Sequence, residues 1–310
     1  MNIKQLKEKG IKSTLFFCAA FSIVVVLSII GYLLYMGYPE IIKTFLRGFN
    51  GFYDPFVGNG HVVFAAAAGT LYIASGATVL AVLVGLPCAI YMAEFADMRI
   101  RNLTKTSLEV LDGFPSIVIG LIGYQLLVYP STSSTFTYFL HNQFGWKGSL
   151  GCDFFAWLIL LIMSFPVIAT ISEDALRAVP QDLREASLGV GATKWQTTRE
   201  VLIPTAMPRI LTSILLALAA AMGEMVALYW VLAGTVTPSL FNSPITILNP
   251  FVNAQTLSIL METTYVGTQD STSSPGAGVY ALGFILFAII GIVNIAARAV
   301  ISRQNKTVSE

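Results

Sequence analysis

The chain has 310 residues, of which 55% are hydrophobic and 11% charged, and its mean hydropathy is +0.73. Soluble domains carry about 25% charged residues, so this composition excludes a soluble globular protein and predicts an integral membrane protein. The net charge of +1 gives no indication of nucleic-acid binding. The length accommodates about six membrane spans of about 20 residues each. We therefore expect one all-α transmembrane domain over residues 1–310.

The cysteines and histidines form no recognisable chemical site in the sequence. Cys18 and Cys88 fall inside apolar runs and Cys152 begins one, which is typical of packing residues. His61 and His141 lie in predicted outer segments, without a nucleophile or metal-ligand pattern. No CxxC or GxxxxGK[ST] motif occurs. We predict no metal, no cofactor and no catalytic site, and any ATP hydrolysis would have to take place on another polypeptide.

Six apolar runs predict six transmembrane helices. The first run is too long for the apolar core of a cleaved signal peptide, which has about 7 to 15 residues. The predicted spans are residues 14–36, 62–91, 108–129, 154–170, 210–234 and 277–297. The predicted connections are a mixed segment at 37–61, a charged link at 93–105, a Ser/Thr-rich segment at 130–151, a polar loop at 173–209, a segment without Lys or Arg at 235–276, and a polar tail from 298.

The third predicted span begins with a sequence that is unusual in lipid, Glu-Val-Leu-Asp-Gly-Phe-Pro-Ser-Ile-Val-Ile-Gly at 109–120. Pro115 removes one backbone donor and predicts a kink or a break at this point. Two interpretations remain open, a simple proline kink and a broken helix that lines a transport pathway. In the second, Pro115, Ser116 and Gly120 are pathway residues.

The polar stretch 178–204 predicts two short helices joined by a tight turn. Asp182 and Glu185 have the spacing of a capping box, in which each side chain satisfies a free backbone N–H, so a helix should start just after Asp182. Gly189 and Gly191 supply the backbone freedom that ends it.

Thr193 and Gln196 repeat the capping pattern and predict the second helix, which Pro204 should interrupt or kink. An ordinary amphipathic loop helix between two spans is the alternative interpretation of the whole stretch.

Glu224 is the single ionisable residue in the predicted fifth span. An acid near the middle of a span costs about 2.5 to 3.5 kcal/mol on insertion scales, so it should face other helices or a watery cavity. It is either a structural carboxyl group that holds helices together or a pathway or gate residue. Gly223 beside it would permit close approach of a neighbouring helix.

The positive charges predict the orientation. Except for Lys43, Arg47 and Lys147, every Lys and Arg lies in the N-terminal segment, in 93–105, in 173–209 or in the tail. Because cytoplasmic loops carry the excess of positive charge, both termini and the loop at 173–209 are expected to face the cytoplasm.

The polar stretch resembles the EAA loop of ABC importer permeases, whose pattern is Glu-Ala-Ala, three residues, Gly, nine residues and Ile-x-Leu-Pro. The matching positions here are Glu185, Ala186, Ser187, Gly191, Val201, Ile203 and Pro204. The resemblance implies a type I importer permease fold with a cytoplasmic coupling helix that docks into a groove of a separate ATPase subunit. The implied contact residues are Glu185, Ala186, Gly191, Trp195 and Pro204.

A second pattern is similar to phosphate ABC permeases, which carry Gly-Arg-Ala-x-Gly-Glu-Thr-Met-Ala after the coupling loop and Pro-Ser-x-x-x-Gly in an earlier span. The chain keeps Gly223, Glu224, Ala227, Pro115, Ser116 and Gly120. It departs at Ala220, where the family has Arg, and at Met225, where it has Thr. Arg suits bidentate capture of an oxyanion, so this departure bears on the substrate.

Together the resemblances imply a permease subunit of an ATP-driven phosphate importer in the cell membrane. Its implied partners are a second permease subunit, two ATPase subunits and an external solute-binding protein. Alternatives are a permease for molybdate, tungstate or sulfate, and an ATP-independent carrier or channel. The carrier interpretation predicts inverted repeats or several intramembrane charges, and neither is found in the sequence.

Overall fold

The computed structural model defines residues 3–46, 62–128, 152–232, 254–269 and 276–307, and every regular element in these ranges is helical. The α-helices are α1 Ile3–Leu46, α2 Val62–Ile90, α3 Met98–Asp112, α4 Ser116–Gly123, α5 Asp153–Arg177, α6 Gln181–Gly189, α7 Lys194–Thr197, α8 Ile203–Gly223, α9 Val226–Leu232, α10 Leu257–Gln269 and α11 Ala277–Thr307. Wider π-helical turns extend α2 over Tyr91–Phe95, extend α4 over Tyr124–Val128, and join α7 to α8 over Thr198–Leu202.

Five stretches in the described residues are long and apolar enough to cross a membrane, namely Gly10–Ile42, Ala66–Phe95, Asp153–Arg177, Lys194–Gly223 and Ala277–Ala299. A sixth arises if α3 and Ser116–Val128 are counted as one span, although they are bent by 89°. The all-helical membrane architecture with about six spans is therefore as predicted. The predicted outer segment at 130–151, His61 and Lys147 lie outside the described residues.

Several helices are longer than the apolar runs that predicted them. Helix α1 continues to Leu46 and contains Pro39, and α11 continues into the predicted polar tail. Helix α10 occupies part of a predicted connection. An apolar run marks only the part of a helix that crosses the bilayer core, so it does not fix the ends of α1 and α11. Helix α10 is a separate helix that no apolar run predicted.

The predicted fifth span also differs from the structure. Pro204 does not interrupt the helix, since it is the second residue of α8 and directly follows a π-helical turn. The missing N–H of a proline costs little near such a start. The span is instead broken at Glu224 and Met225, between α8 and α9.

The described residues form two compact units. The first, Met1–His61 with Thr263–Phe287, contains a close contact between α1 and the start of α11. A Cβ on Gly37 would lie 2.8 Å from the backbone nitrogen of Ala281, so only glycine fits here. The rings of Tyr32 and Tyr280 meet edge to face, with centroids 5.8 Å apart.

The second unit, Val62–Glu262 with Ala288–Glu310, has α2, α5 and α8 at its centre. Buried alanines recur on one face of α2, at Ala66, Ala74, Ala77 and Ala81. Small side chains at helical spacing let neighbouring helices approach closely. The resulting van der Waals packing stabilises helix association in lipid, where the hydrophobic effect gives no driving force between helices. Bulky residues fill the remaining space in the main cluster, among them Ile73, Leu160, Met222 and Leu228.

Polar side chains fix the segment that leads into α10. The buried carboxylate of Asp153 accepts a hydrogen bond from the backbone N–H of Ala254 at 2.7 Å. The hydroxyl of Thr70 accepts one from the N–H of Leu257 at 2.9 Å. The N–H of Leu257 lies at the helix start, where no intrahelical acceptor exists, and Ala254 lies three residues before it. The segment that leads into α10 is therefore bonded to α5, and the start of α10 to α2.

Gly69→Ala should destabilise this arrangement, because the new Cβ would lie 2.2 Å from the backbone carbonyl oxygen of Gln255. We expect a loss of about 1–3 kcal/mol, as for overpacking elsewhere, seen as a lower midpoint of thermal unfolding in detergent. Gly85→Ala is the matched control on α2, since its nearest neighbour is a side-chain methyl group of Ile168 at 3.1 Å. Equal midpoints for the two variants would contradict this packing.

Candidate functional site

The helix break at Pro115 is complete. Helix α3 ends at Asp112, Pro115 has extended backbone (φ −59°, ψ 131°), and α4 starts at Ser116. The carbonyl of Pro115 accepts the N–H of Val118 at 2.9 Å, which begins the new helix. Since the two segments are bent by 89°, the helix is broken here rather than simply kinked at the proline, and a pathway role of this break stays a prediction.

A second break lies at Glu224. This residue follows the last turn of α8 with extended backbone (φ −70°, ψ 123°), and its Oε1 accepts the N–H of Ala227 at 3.0 Å. The carboxylate thus satisfies a free donor in the first turn of α9, where a negative charge also suits the helix dipole. The sequence predicted a continuous span through Glu224, and this prediction is wrong because the helix breaks at this residue. The bond to the Ala227 N–H compensates the break.

The short helices after the two breaks pack directly against each other. A Cβ on Gly120 would lie 2.7 Å from the Cα of Ala227, and a Cβ on Gly123 would lie 3.5 Å from a methyl group of Val231. The contact of Gly120 with Ala227 is followed, about one turn later in both helices, by the contact of Gly123 with Val231. The two helices therefore run parallel. Their starts, at Ser116 and next to Glu224, therefore lie side by side.

The predicted pathway residues are thus largely brought together. Pro115, Ser116 and Gly120 belong to one broken helix, and Glu224 belongs to the other at the same level. Gly223 differs from expectation, since it is exposed and a Cβ there would meet no atom within 4 Å. Among the described residues, no neighbouring helix approaches Gly223 closely.

The predicted helix, glycine turn and helix are present at 181–197. Helix α6 ends at Gly189, and Gly191 has φ +91°, a backbone conformation that favours glycine. The capping box of Thr193 and Gln196 is confirmed, with the Thr193 N–H donating to Gln196 Oε1 at 2.8 Å and the Gln196 N–H donating to Thr193 Oγ1 at 3.3 Å.

The capping box predicted for Asp182 and Glu185 is wrong. Helix α6 starts at Gln181, so Asp182 already lies inside its first turn. Pro180, with φ −53°, precedes the helix and sets its start, since a proline ring holds this angle near the helical value. The carboxylate of Asp182 still favours the N-terminal end of the helix dipole.

Specific bonds hold this turn region, which we call the coupling segment (residues 181–197), against the rest of the second unit. Arg184 donates to the carboxylate of Glu94 and, at 2.7 Å, to the carbonyl of Leu176. The hydroxyls of Ser187 and Thr197 are hydrogen bonded at 2.9 Å. The Arg184 bonds fix one face of the segment against the unit and leave the other face free, whereas the bond between Ser187 and Thr197 joins two residues of the segment itself.

The free face carries several apolar side chains. Leu188, Val190 and Trp195 are 50%, 86% and 52% exposed, and Glu185 and Ala186 are exposed beside them. Leu183 is 42% exposed as well. Scattered exposed apolar residues are common, but four in one short, anchored turn region form a surface suited to a protein partner. Pro204 is also exposed, at the start of α8.

Sequence reasoning missed a buried ionic cluster. The side chain of Glu173 is 0% exposed, and it is paired with Arg101 at 2.7 Å, Lys105 at 3.1 Å and Arg177 at 3.6 Å. The spacing of Arg101 and Lys105 places both cations on one helix face, and this was the available signal. Among the described residues, no group of three or more His, Cys, Asp or Glu side chains could hold a metal ion.

Gly120→Ala should force α4 away from α9, because its Cβ would meet the backbone of Ala227 rather than a side chain that can move. We expect a lower unfolding midpoint in detergent, corresponding to about 1–3 kcal/mol. Gly223→Ala is the control, since that position is open. A Gly120→Ala variant as stable as Gly223→Ala would argue against the close parallel packing.

Comparison with known proteins gives consistent matches. The family model described as "Binding-protein-dependent transport system inner membrane component" matches residues 85–306. The probable ABC transporter permease protein YqgH of Bacillus subtilis is 31% identical over 257 residues, covering 81% of this chain and 74% of the relative. The phosphate transport system permease protein PstA 2 of Mycobacterium bovis is 35% identical over 191 residues, covering 61% of this chain and 58% of the relative.

Solved structures agree on the fold. The chain resembles a subunit of the inward-facing MetNI methionine ABC transporter with a TM-score of 0.57 and 16% identity, covering 81% of this chain and 99% of that one. It resembles a chain of a bacterial alginate ABC transporter with a TM-score of 0.55 and 14% identity, covering 97% and 98%. From the family match and the YqgH similarity, the chain belongs to the family of binding-protein-dependent transport system inner membrane components, the permeases of ABC importers.

Proposed function

We propose that this permease imports inorganic phosphate, which an external binding protein delivers and which a separate ATPase drives across the membrane. The proposed substrate is based on the similarity to relatives named phosphate transport system permease proteins, PstA 2 and PstC 2 of Mycobacterium bovis. The matches span 58% and 69% of those relatives. The paired breaks at Pro115 and Glu224 support it, since both phosphate-permease motifs lie there.

The coupling segment is the proposed docking surface for the ATPase subunits. It is anchored through Arg184 on one face and presents Leu188, Val190 and Trp195 on the other. A rigid, partly apolar helix of this kind fits a groove in a partner protein. With the excess of positive charge in the same loop, this supports an orientation in which the segment and both termini are cytoplasmic.

The phosphate pathway is proposed to pass the adjacent starts of α4 and α9. The hydroxyl of Ser116 and the free N–H groups at the start of α4 suit an anion, because the N-terminal end of a helix carries partial positive charge. Glu224 would repel an anion unless a cation lies beside it. Ala220 occupies the family's Arg position, so the second permease subunit is expected to supply the cation. Molybdate, tungstate and sulfate are the alternative substrates.

Glu185→Arg and Gly191→Val should uncouple transport while leaving membrane insertion intact. The first reverses a charge on the proposed contact surface, and the second forces a side chain into φ +91°. Co-purification of the ATPase subunits and solute uptake are the measurements. Gly189→Ala is the control, because a Cβ there meets no atom within 4 Å. Normal ATPase association and uptake in both variants would refute the docking surface.

Glu224→Gln and Glu224→Ala should both lower phosphate uptake and phosphate-stimulated ATP hydrolysis in proteoliposomes that hold the whole complex. Glu224→Gln keeps an oxygen that accepts the Ala227 N–H, so it should assemble like wild type while losing the charge. Glu224→Ala also loses the helix cap, which costs about 0.5–2 kcal/mol.

Wild-type uptake in both Glu224 variants would show that this residue is structural. Competition of labelled phosphate uptake by molybdate, tungstate or sulfate decides between the substrates. If one of them is transported and phosphate is not, the phosphate assignment is wrong while the permease assignment stands.

A further inference from the structure

Glu173 lies in the last turn of α5 and is the most strongly paired side chain in the described part of the chain. Its two oxygens accept from Arg101 Nε at 2.7 Å and from Lys105 Nζ at 3.1 Å, and Arg177 lies 3.6 Å away. The carboxyl group is 0% exposed, whereas the cations are partly exposed. A carboxylate is retained in such a site only when cations and hydrogen bonds compensate its lost hydration.

The cluster connects two elements that are distant in sequence. Arg101 and Lys105 belong to α3, and Glu173 belongs to α5, 72 and 68 residues away. Lys105 also pairs with Asp174 at 2.7 Å. Helix α3 is thereby held at a defined position on α5 by directional bonds, in addition to any apolar packing.

Apolar packing at the same place is separate from the ionic cluster. Leu108, on α3, packs with Met92 and Ala169 in a small buried cluster. This contact keeps α3 against the unit without specifying its position along α5, because dispersion and burial are not directional. The ion pairs therefore fix where α3 lies along α5, in addition to holding the two helices together.

The cluster lies between the coupling segment and the first helix break. Helix α5 ends at Arg177, and the coupling segment begins four residues later at Gln181. Arg184 of that segment bonds back to the carbonyl of Leu176. In the other direction, α3 runs without interruption from Arg101 to the break at Pro115. One uninterrupted helix thus leads from the cluster to the break that precedes α4.

We propose that Glu173 is a positioning residue, which makes α3 and the coupling segment move as one body, so that ATPase motion at the coupling segment reaches the break at Pro115. This inference rests on the proposed function. Coupling between distant sites needs a physical element whose position both sites influence, and α3 is that element here. Loss of the Glu173 charge should leave ATP hydrolysis running while solute movement fails.

The test compares Glu173→Gln with wild type in proteoliposomes that contain the full complex and the binding protein. The readout is the ratio of phosphate transported to ATP hydrolysed, per assembled complex. We expect this ratio to fall by at least about fivefold, the lower end of typical coupling effects. Glu173→Asp, which keeps the charge, should recover part of the ratio.

Leu108→Ala is the matched control, since it removes a buried contact of α3 but none of the ions. It should lower the unfolding midpoint and leave the ratio unchanged. Equal ratios for Glu173→Gln and wild type, or an equal fall in Leu108→Ala, would overturn the proposal. If Glu173→Gln does not assemble, Arg101→Gln removes one cation while Glu173 keeps Lys105 and Arg177, and an unchanged ratio in that variant overturns it as well.

The two levels of the proposal fail differently. A wild-type chain that binds no ATPase would overturn the proposed function and this inference with it. A wild-type complex that couples ATP hydrolysis to uptake, together with a Glu173→Gln complex that couples equally well, overturns this inference alone.

Discussion

Inside a bilayer no water is present to bond the backbone groups that a broken helix leaves free, and each such group must find a partner within the protein. The structure meets this requirement with local acceptors. The carboxylate of Glu224 bonds the N–H of Ala227, and the carbonyl of Pro115 bonds the N–H of Val118. Asp153 likewise accepts the backbone N–H of Ala254, in the segment that leads into α10. Breaks in the spans are possible because these partners exist.

A related requirement applies to acidic side chains that are buried or partly buried in this apolar chain, because a carboxylate removed from water needs donors or cations. Glu173 is compensated by three cations, Asp153 accepts a backbone N–H, and Glu224 caps a short helix. Two types of donor are used, cations at Glu173 and backbone N–H groups at Asp153 and Glu224. The bond at Glu224 is local to one chain segment, whereas the bonds of Glu173 and Asp153 join elements that are distant in sequence.

Some local features were predictable from the sequence and others were not. The capping box at Thr193 and Gln196 is present as predicted, and Pro115 lies at a break, one of the two outcomes predicted for it. The capping box predicted at Asp182 and Glu185 is absent, because the helix already starts at Gln181. The break at Glu224 was missed because an uninterrupted apolar run with no proline surrounds it. The pairing of Glu173 with Arg101 could not be predicted from the sequence, because Arg101 lies 72 residues earlier in the chain.

The candidate pathway illustrates where residue patterns reach their limit. The motif residues Gly120 and Ala227 are recognisable in the sequence, but only the structure shows them as neighbours so close that a Cβ on Gly120 would lie 2.7 Å from the Cα of Ala227. That contact aligns the starts of α4 and α9, which places one carboxylate beside two helix starts. One oxygen of the carboxylate caps its own helix, and a carboxylate has the capacity to accept further bonds. The residue type at Glu224 could be read from the sequence, whereas its role as a cap at a helix break could be read only from the structure.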